Sequence, residues 1–344
     1  MTKNSVLLFV LVFIAFLTLE VVPEVISQSS AATMDKHEIY AGMCDASGAV
    51  AVGASMFVVA SDEDNILRLY RNDGSEHKLV QSFDLRPFLN LDAKHPEADI
   101  EAATRVGERI YWMTSHGTNK KGKLRRSRHK FFATEIRHRD DTVVFEFIGH
   151  PYERLIEDLS RSPKWQIFAL AEAARRPPKS SGGLNIEALA AAPDGSLWIA
   201  FRNPIPDAKA LLVRLKNPQA VVAGEAAHFG DPVLLSLHGL GIRGMEYSYV
   251  LGQYIIIAGS FDHHNAFKLY QWSGSQDQQP SLIQGLDVGD LNPESVIVYA
   301  DGTLELLSDD GMHKVDGVAC KKVRVGKRSF RSLRFALPAV SLSR

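Results

Sequence analysis

The chain has 344 residues, of which 45% are hydrophobic and 23% are charged, and its formal net charge is −1. This length and apolar content are enough for a large buried core and exclude a chain that is disordered over long stretches. The near balance of charge argues against bulk electrostatic binding to nucleic acid or to a membrane surface.

The first 32 residues have the features of a secretory signal. A basic Lys3 precedes the apolar residues 6–19, which are few for a membrane span, and Ser30-Ala31-Ala32 offers small residues for cleavage. We therefore expect a signal peptide over residues 1–32, a single domain over residues 33–344 and a periplasmic or extracellular location, with no membrane span after cleavage. The alternative is an uncleaved N-terminal anchor, because Val21-Val22 prolongs the apolar stretch.

A pattern of two short strands recurs five times along the rest of the chain. In each repeat a polar or charged residue opens an apolar strand, and a second apolar strand ends in a small or polar residue. The openings are Asp45, Glu101, Glu187, Arg243 and Glu294, and the matching strand ends are Asp62, His116, Arg202, Ser260 and Asp309. The openings are 56, 86, 56 and 51 residues apart, and repeats of about 50 residues built from short strands are typical of β-propellers.

Further strands complete the repeats. Residues 66–70, 211–215 and 267–272 combine apolar and basic side chains in the way expected of a third strand with one packed face. Residues 143–148 and 329–337 indicate outer, fourth strands. We predict an all-β fold, a β-propeller with five visible blades, and the sequence leaves open a sixth blade assembled from the two termini.

A strongly basic stretch, residues 120–130, follows the strand end at His116. Two interpretations are open: Lys120 and its neighbours attract an anionic group, or the stretch is a solvated loop. Binding of nucleic acid is not expected, because the stretch is short and no aromatic residues alternate with its charges. His116 is the candidate catalytic residue, as an acid or a base.

The interval of 86 residues contains an insertion at about residues 152–181. Leu155, Ile156 and Leu159 follow helical spacing, and Pro163 is expected to divide the segment into two short helices. The following residues, 177–183, are rich in Pro, Ser and Gly and predict a mobile connector. The sequence therefore predicts a short helical insertion between the second and third blades.

The chain contains two cysteines, Cys44 and Cys320, near opposite ends of the predicted mature domain. Export to an oxidising compartment would allow a disulfide that joins the first blade to the last. Sequence spacing alone supplies no geometry for such a bond. The sequence leaves both states open, and we take two separate thiols as the expectation.

The strand openings and strand ends are predicted to share one face of the propeller. In a blade, the innermost strand starts where its antiparallel neighbour ends, so both groups meet at one rim. The predicted mouth residues are Asp45, Asp62, Glu101, His116, Lys120, Glu187, Arg202, Arg243, Glu294 and Asp309. We expect this mixed-charge mouth to bind a small polar or anionic molecule.

Four of these residues, Asp45, Glu101, Glu187 and Glu294, are candidate metal ligands. Converging carboxylates repel one another unless arginines pair with them, protons neutralise them or a divalent cation binds them. Ca²⁺ is the most natural ion for a set of oxygen ligands. A structural interpretation is also open, in which each acid accepts backbone N–H bonds and fixes the start of its strand. Arg243 favours a specific polar site, because a purely structural role would favour one residue type in every blade.

Several short motifs occur together over about residues 42–311. They are Gly42-Met43-Cys44-Asp45-Ala46-Ser47, Ser61-Asp62-Glu63-Asp64-Asn65, Ser115-His116-Gly117, Gly183-Leu184-Asn185-Ile186-Glu187, Phe201-Arg202-Asn203-Pro204 and Asn292-Pro293-Glu294. In combination they resemble the bacterial DUF3616 family, which implies a propeller and a bacterial source but no activity, because the family is uncharacterised. A looser similarity to esterase-like and phytase-like propellers implies channel acids that hold Ca²⁺ for phosphate binding, and Arg243 departs from an all-acid ring.

The sequence leaves three functions open. The first is an exported propeller that binds a small polar or anionic ligand at the mouth without chemistry. The second is a Ca²⁺-assisted phosphoester hydrolase, and the third is a scaffold for protein interactions. Whether the chain is an enzyme, which metal it uses and its oligomeric state are not determined by the sequence.

Overall fold

Five four-stranded antiparallel sheets, which are the blades of a propeller, form the described part of the chain. A computed structural model describes residues 37–74, 79–140, 142–262, 264 and 266–337. The predicted signal over residues 1–32 lies outside these ranges and stays a prediction. The first described strand, β1 (Glu38–Ala41), belongs to the last blade.

The first three blades follow one another along the chain. Blade 1 contains β2 (Gly48–Ala51), β3 (Met56–Ala60), β4 (Ile66–Arg71) and β5 (Leu79–Asp84), and the short helix α1 (Arg86–Leu89) follows it. Blade 2 contains β6 (Ile100–Val106), β7 (Arg109–Thr114), β8 (Phe131–Arg139) and β9 (Thr142–Tyr152). Blade 3 contains β10 (Asn185–Ala191), β11 (Leu197–Asn203), β12 (Ala210–Leu215) and β13 (Val233–Leu235), with helix α5 (Pro218–Val222) between its last two strands.

The last two blades complete the ring. Blade 4 contains β14 (Gly241–Ser248), β15 (Gln253–Gly259), β16 (Phe267–Trp272) and β17 (Ser281–Leu282). Blade 5 contains β18 (Pro293–Val298), β19 (Thr303–Ser308), β22 (Ser329–Ala336) and the outer strand β1, and a small hairpin of β20 (Lys314–Val315) and β21 (Val318–Ala319) is inserted before β22. The prediction of an all-β propeller with five blades is confirmed.

The innermost strands surround a common axis. Each of the five first strands, β2, β6, β10, β14 and β18, contacts the first strand of the next blade, and β18 contacts β2 to close the ring. Burial follows this arrangement: every residue of β10 and β11 is buried, whereas most of the outer strand β5 is exposed. A strand whose two faces both pack against neighbouring blades needs an uninterrupted run of apolar residues. Strand β11 has such a run in Leu197-Trp198-Ile199-Ala200-Phe201.

Both ends of the described chain meet in blade 5. Strand β1 pairs antiparallel with β22, from Glu38 opposite Ser332 to Ala41 opposite Ser329. The termini therefore complete the fifth blade, and the alternative of a sixth blade built from them is wrong. Residues 329–337 were expected to form an outer strand, but β22 is the third strand because β1 covers its edge.

A disulfide joins Cys44 to Cys320, with 5.9 Å between their Cα atoms. The expectation of separate thiols is therefore wrong. Cys44 follows β1 and Cys320 precedes β22, so the pairing of these two strands brings the cysteines together. The bond connects the segment that enters blade 1 to the loop of blade 5.

The helical insertion between blades 2 and 3 is confirmed, and it contains three short helices where two were expected. They are α2 (Leu155–Arg161), α3 (Pro163–Gln166) and α4 (Leu170–Ala173). Leu159, Trp165 and Leu170 are buried in one core cluster with side chains of blade 3, so apolar burial anchors the insertion to the propeller. Within the described ranges the longest helix, α2, has 7 residues, and no helix is suited to span a bilayer.

The segment after the insertion, predicted to be a mobile connector, is held against blade 3. The Asn203 side-chain amide donates to the carbonyl oxygens of Pro178 at 2.8 Å and Ser180 at 2.7 Å. Gly183 permits a close backbone approach, because a Cβ at this position would lie 2.1 Å from the carbonyl oxygen of Pro177. These contacts place residues 177–180 at the edge of the mouth cavity described below.

Candidate functional site

Four of the predicted strand openings are β-bulges at one level of the innermost strands. The register of β6, β10, β14 and β18 shifts so that Glu101, Glu187, Arg243 and Glu294 each have no partner on the second strand. A bulge ends regular pairing and re-aims the side chain, and such bulges are frequent next to functional sites. The repeat seen in the sequence is therefore a repeated backbone irregularity that presents four charged groups at the channel.

Blade 1 differs from the other four. Its first paired residue is Gly48, opposite Ala60, so the position equivalent to the bulged residues is Ser47. Asp45, the predicted member of the ring, lies two residues earlier and forms an isolated bridge with Asp309. Gly48 lies against the backbone of Ala102, where a Cβ would come within 2.9 Å, so close contact between neighbouring innermost strands requires a glycine there.

A cavity of about 810 Å³ opens at this rim, here called the mouth. Seven of the predicted residues line it: Asp62, Glu101, Lys120, Glu187, Arg202, Glu294 and Asp309. Further charged residues line it that were not in the predicted set: Glu63, Glu97, Asp99, Arg128, Lys179 and Lys321. The remaining lining residues are Asn119, Pro177, Pro178, Ser180 and Asn185, so the described lining contains no aromatic side chain.

One side of the mouth is compensated by arginines. Glu187 Oε1 accepts a hydrogen bond from Arg202 Nη1 at 2.7 Å, and Glu187 Oε2 lies 3.3 Å from Arg243 Nε. Arg243 also forms an ion pair with Glu294. Burial acts to raise the pKa of Glu187, but Arg202 and Arg243 outweigh it and hold this pKa below its ordinary value. Glu187 is thereby ionised, and arginines compensate the charge of both Glu187 and Glu294.

Asp45 and Asp309 share a hydrogen bond between their carboxyl groups. Burial and this bond raise the pKa of Asp45 to about 10, whereas the hydrogen bonds from Asp45 and from the Gly311 amide help to hold the pKa of Asp309 below its ordinary value against burial. Asp45 is therefore a protonated donor at neutral pH and Asp309 is its acceptor.

The other side of the mouth contains three clustered carboxylates. One oxygen each of Asp62, Asp99 and Glu101 lies within 4.8 Å of the others. Burial and, to a smaller extent, the charges of neighbouring acids raise the pKa of Asp62 and of Glu101 well above the ordinary values. Burial also raises the pKa of Asp99 to about 6, although Arg128 Nη1, 3.0 Å from Asp99 Oδ2, acts to lower it.

This cluster differs from the predicted metal set. Of Asp45, Glu101, Glu187 and Glu294, only Glu101 belongs to it, because arginines pair with Glu187 and Glu294 and Asp45 pairs with Asp309. Among the described residues no other group of acids, histidines or cysteines is arranged closely enough to hold a metal ion. Asp99 lies two residues before Glu101, at φ 60°, and that left-handed conformation is not visible in the sequence.

His116, the candidate catalytic residue, does not line the mouth. Its ring is fully buried, its Nδ1 lies 2.8 Å from the carbonyl oxygen of Thr114, and it packs edge-on against His129 at 5.5 Å between ring centroids. Burial and, to a smaller extent, the neighbouring His129 lower the pKa of His116 to about 3. The structure therefore separates His116 from the seven predicted residues that line the mouth.

The basic stretch at residues 120–130 divides between three different surroundings. Lys120 and Arg128 line the mouth, where they can contact an anion. Lys130 is buried and its Nζ lies 2.6 Å from Glu153 Oε1. Arg126 and His129 line a second cavity beside the helical insertion.

Comparison with known proteins identifies the family but no activity. Residues 45–141 and 148–306 match the family model described as "Protein of unknown function (DUF3616)", and no curated protein matches the chain. Solved structures of similar architecture include the PQQ-bound aldose sugar dehydrogenase of Streptomyces coelicolor, with 11% identity, 88% of this chain and 98% of that chain covered and a TM-score of 0.42. Another is the calcium-binding protein regucalcin of Agrobacterium tumefaciens, with 9% identity, coverage of 86% and 91% and a TM-score of 0.41. These similarities assign neither a ligand nor a reaction to the chain.

Proposed function

Since this chain belongs to the DUF3616 family, whose description assigns no function, we propose from the geometry of the mouth that it binds a small, highly charged ligand there through a divalent cation. The observation that carries the proposal is the convergence of Asp62, Asp99 and Glu101 in an open cavity of about 810 Å³. The ion would lie between these carboxylates, and an anionic group of the ligand would complete its coordination.

The charge of the mouth supports a cation in preference to a free anion. Eight carboxylates and five cationic side chains line the cavity, which leaves an excess of three negative charges at full ionisation. An anion next to ionised Asp62, Asp99 and Glu101 would be repelled, since like charges interact unfavourably in a partly buried site. These acids also repel one another, which contributes to the raised pKa values of Asp62 and Glu101, and a cation that binds them displaces their protons. A divalent cation removes most of that excess and makes the anionic ligand predicted from the sequence compatible with the acids.

The chemistry of the donors fits a hard ion. Three carboxylates supply up to six oxygens, and Ca²⁺ takes six to eight oxygen ligands in flexible geometry. Asn185, with 5% exposure, also lines the mouth, and its Oδ1 is buried without a hydrogen-bond partner among the described residues. An unpaired buried oxygen is costly, and a polar ligand or its hydration shell in the mouth would satisfy it.

The lysines around the mouth are placed to contact the ligand. Lys120 and Lys179 line the cavity and form no ion pair within the described ranges, whereas Lys321 lies 3.9 Å from Glu63. Ammonium groups bind phosphate, sulfate and carboxylate as point charges. The described lining contains no aromatic side chain, so stacking on a sugar ring is not expected here. The ligand class that fits is therefore a compact anion such as a phosphate or carboxylate compound.

Binding is favoured over hydrolysis because His116, the acid or base of the hydrolase hypothesis, is sealed away from the mouth. Proton transfer requires a group within hydrogen-bond reach of the reacting atom. Export to the periplasm or the cell exterior remains part of the proposal. The disulfide between Cys44 and Cys320 supports it, since disulfides persist in oxidising compartments.

Calorimetric titration with Ca²⁺ tests the proposal. We expect one binding site in the wild-type protein, a rise in Tm with Ca²⁺ and a fall with EDTA, and at least about tenfold weaker binding in Glu101→Gln or Asp62→Asn. Glu63→Gln is the matched control, because it removes an acid of the same lining that lies outside the cluster. Its affinity should stay within about threefold of the wild type.

A second titration adds phosphate or citrate to the Ca²⁺-loaded and the EDTA-treated protein. Binding only in the presence of Ca²⁺, weakened in Lys179→Ala, supports the proposal. The proposal is wrong if the wild-type protein shows neither a heat of Ca²⁺ binding nor a change in Tm. Release of nitrophenol from p-nitrophenyl phosphate by the wild type, lost in Glu101→Gln, would replace binding by the hydrolase alternative.

A further inference from the structure

A second cavity, of about 430 Å³, lies beside the helical insertion, away from the mouth. One wall comes from the basic stretch of blade 2 and the other from the end of β9 and the insertion. Its lining residues are Leu124, Arg126, His129, Glu153, Arg154, Ile156, Glu157, Ala171 and Ala174, and none of them lines the mouth. Its volume falls within the range usual for small-molecule sites.

Two arginines without an ion pair among the described residues give this cavity positive charge, and one of them, Arg154, lies over the Tyr152 ring at 5.4 Å from its centroid. Arg126 and Arg154 line it, and neither forms an ion pair in the part of the chain that the structure describes. Glu153 is already compensated, because its Oε1 lies 2.6 Å from Nζ of the buried Lys130. The other acid of the lining, Glu157, faces Arg161 at 3.8 Å. Guanidinium groups bind carboxylates with paired hydrogen bonds, so two arginines that lack an ion pair in the described chain point to a carboxylate.

His129 adds a polar ring nitrogen without a hydrogen-bond partner to the described lining of the cavity. Its Nε2 is buried and has no hydrogen-bond partner among the described residues, and the side chain lines the cavity. Burial lowers the pKa of His129 to about 4, so its ring is neutral at pH 7. A neutral imidazole nitrogen either donates or accepts a hydrogen bond according to its tautomer. A hydroxyl group of a ligand can pair with either tautomer, because it both donates and accepts hydrogen bonds.

The remaining wall is apolar. Leu124 is 57% exposed although it is a large hydrophobic side chain, and Ile156, Ala171 and Ala174 lie along the same cavity. An apolar group of a ligand would cover Leu124 and gain about 25 cal/mol for each Å² removed from water. The insertion thereby contributes a surface that the propeller blades alone do not offer.

We propose that this second cavity binds a small hydroxycarboxylate with an apolar body, with Arg126 and Arg154 on the carboxylate, His129 on the hydroxyl group and Leu124 and Ile156 on the apolar part. The site is separate from the mouth and does not depend on the divalent cation proposed there.

Binding of three related probes tests this assignment. Mandelate carries the carboxylate, the hydroxyl group and an apolar ring, phenylacetate lacks the hydroxyl group, and benzyl alcohol lacks the carboxylate. Titration of the wild-type protein in EDTA should give the strongest binding with mandelate, about three- to tenfold weaker binding with phenylacetate and at least about tenfold weaker binding with benzyl alcohol.

Variants connect each preference to its residue. Arg154→Gln should weaken mandelate and phenylacetate alike by about tenfold. His129→Phe should remove the preference for mandelate over phenylacetate and leave phenylacetate binding nearly unchanged. Arg139→Gln is the matched control, because this arginine is 67% exposed at the end of β8 and does not line the cavity. Glu101→Gln, which removes a mouth acid, should leave mandelate binding intact.

The outcomes separate this site from the mouth. Mandelate binding that survives EDTA and Glu101→Gln but weakens in Arg154→Gln supports the second site, even if the mouth fails to bind Ca²⁺. The assignment is overturned if mandelate does not bind, if benzyl alcohol binds equally well, or if Arg139→Gln weakens binding as much as Arg154→Gln does. Arg126 and Arg154 are exposed, so their variants are expected to fold, which the Tm of each variant will verify.

Discussion

Replacing Glu187 by Gln would test whether the arginine-compensated side of the mouth is a structural element. Glu187 has 3% exposure and accepts from Arg202 at 2.7 Å while facing Arg243 at 3.3 Å. The variant keeps the size of the side chain and removes the charge that compensates both guanidinium groups. We therefore expect the main effect to be on folding, with the arginines left as buried cations.

The magnitude follows from what each arginine retains. Removing one partner of a buried ion pair costs about 3–5 kcal/mol. Arg243 would keep its ion pair with Glu294, and Arg202 would keep hydrogen bonds to the carbonyl oxygens of Ser260 and Asp262, both at 2.9 Å. These remaining contacts place the expected loss of unfolding free energy near 3 kcal/mol, at the low end of that range.

The measurement is guanidinium denaturation of the variant and the wild type at pH 7, accompanied by calorimetry. A loss of about 3 kcal/mol corresponds to a fall in Tm of about 5 °C for a domain of about 300 residues. The pKa of Glu187 is depressed in the folded state, so its stabilisation is present above the ordinary pKa of 4.5 and is lost as the pH falls through the folded value. The difference between wild type and variant should therefore shrink in acid.

Glu146→Gln is the matched control. Glu146 also faces two arginines, Arg137 at 3.4 Å and Arg139, but all three side chains are at least 40% exposed. Exposed ion pairs contribute about 0–1 kcal/mol, so this variant should be nearly as stable as the wild type. The reasoning is refuted if Glu187→Gln costs less than about 1 kcal/mol, or if the exposed and buried replacements cost the same.

Three further predictions concern other buried groups. Burial raises the pKa of Glu246 to about 8, so the unfolding free energy of the wild type should fall as the pH rises from about 4.5 to about 8. Denaturation curves of Glu246→Gln should show a smaller change of unfolding free energy over this pH range, and an equal change in both proteins would contradict the prediction. The double variant Cys44→Ala, Cys320→Ala should lose about 4 kcal/mol of unfolding free energy, because the disulfide joins residues 276 positions apart. An unchanged Tm would contradict this prediction. Asp45 is a protonated donor, so Asp45→Asn should change the unfolding free energy by less than about 1 kcal/mol and leave Ca²⁺ affinity unaltered. A large loss of Ca²⁺ affinity would show that Asp45 is a ligand.

Much of the fold could be predicted because its signals are local. The five openings repeat at a spacing that one blade requires, and four of them, beginning with Glu101, prove to be bulges at a single level. In blade 1 the prediction chose Asp45, whereas the register places Ser47 at that level. Asp45 was chosen because it is an acid, like most of the other openings. The residue at this level is set by the hydrogen-bond register of β2 and β3, which the charge of a residue does not reveal.

The candidate site was predictable in position and less so in composition. Seven of ten predicted residues line the mouth, because the start of one strand and the end of the next meet there in every blade. Asp99 was missed because its role depends on a left-handed backbone conformation, and Lys179 was missed because its segment was expected to be mobile. His116 was included by its place in the repeat, although the backbone turns its ring into the core beside His129.

The sequence by itself determined the five repeats, the all-β propeller architecture, the helical insertion and the rim at which charged residues collect, whereas the pairing of β1 with β22 decided that there is no sixth blade in the described chain. The features determined by the sequence follow from period, alternation and turn residues, which act over a few positions along the chain. Only the tertiary structure decided which charges compensate one another, that Cys44 bonds Cys320, and that Asp62, Asp99 and Glu101 form the acidic cluster. These partners lie far apart in sequence or in different blades, and electrostatic energy depends on their separation in space and on their burial.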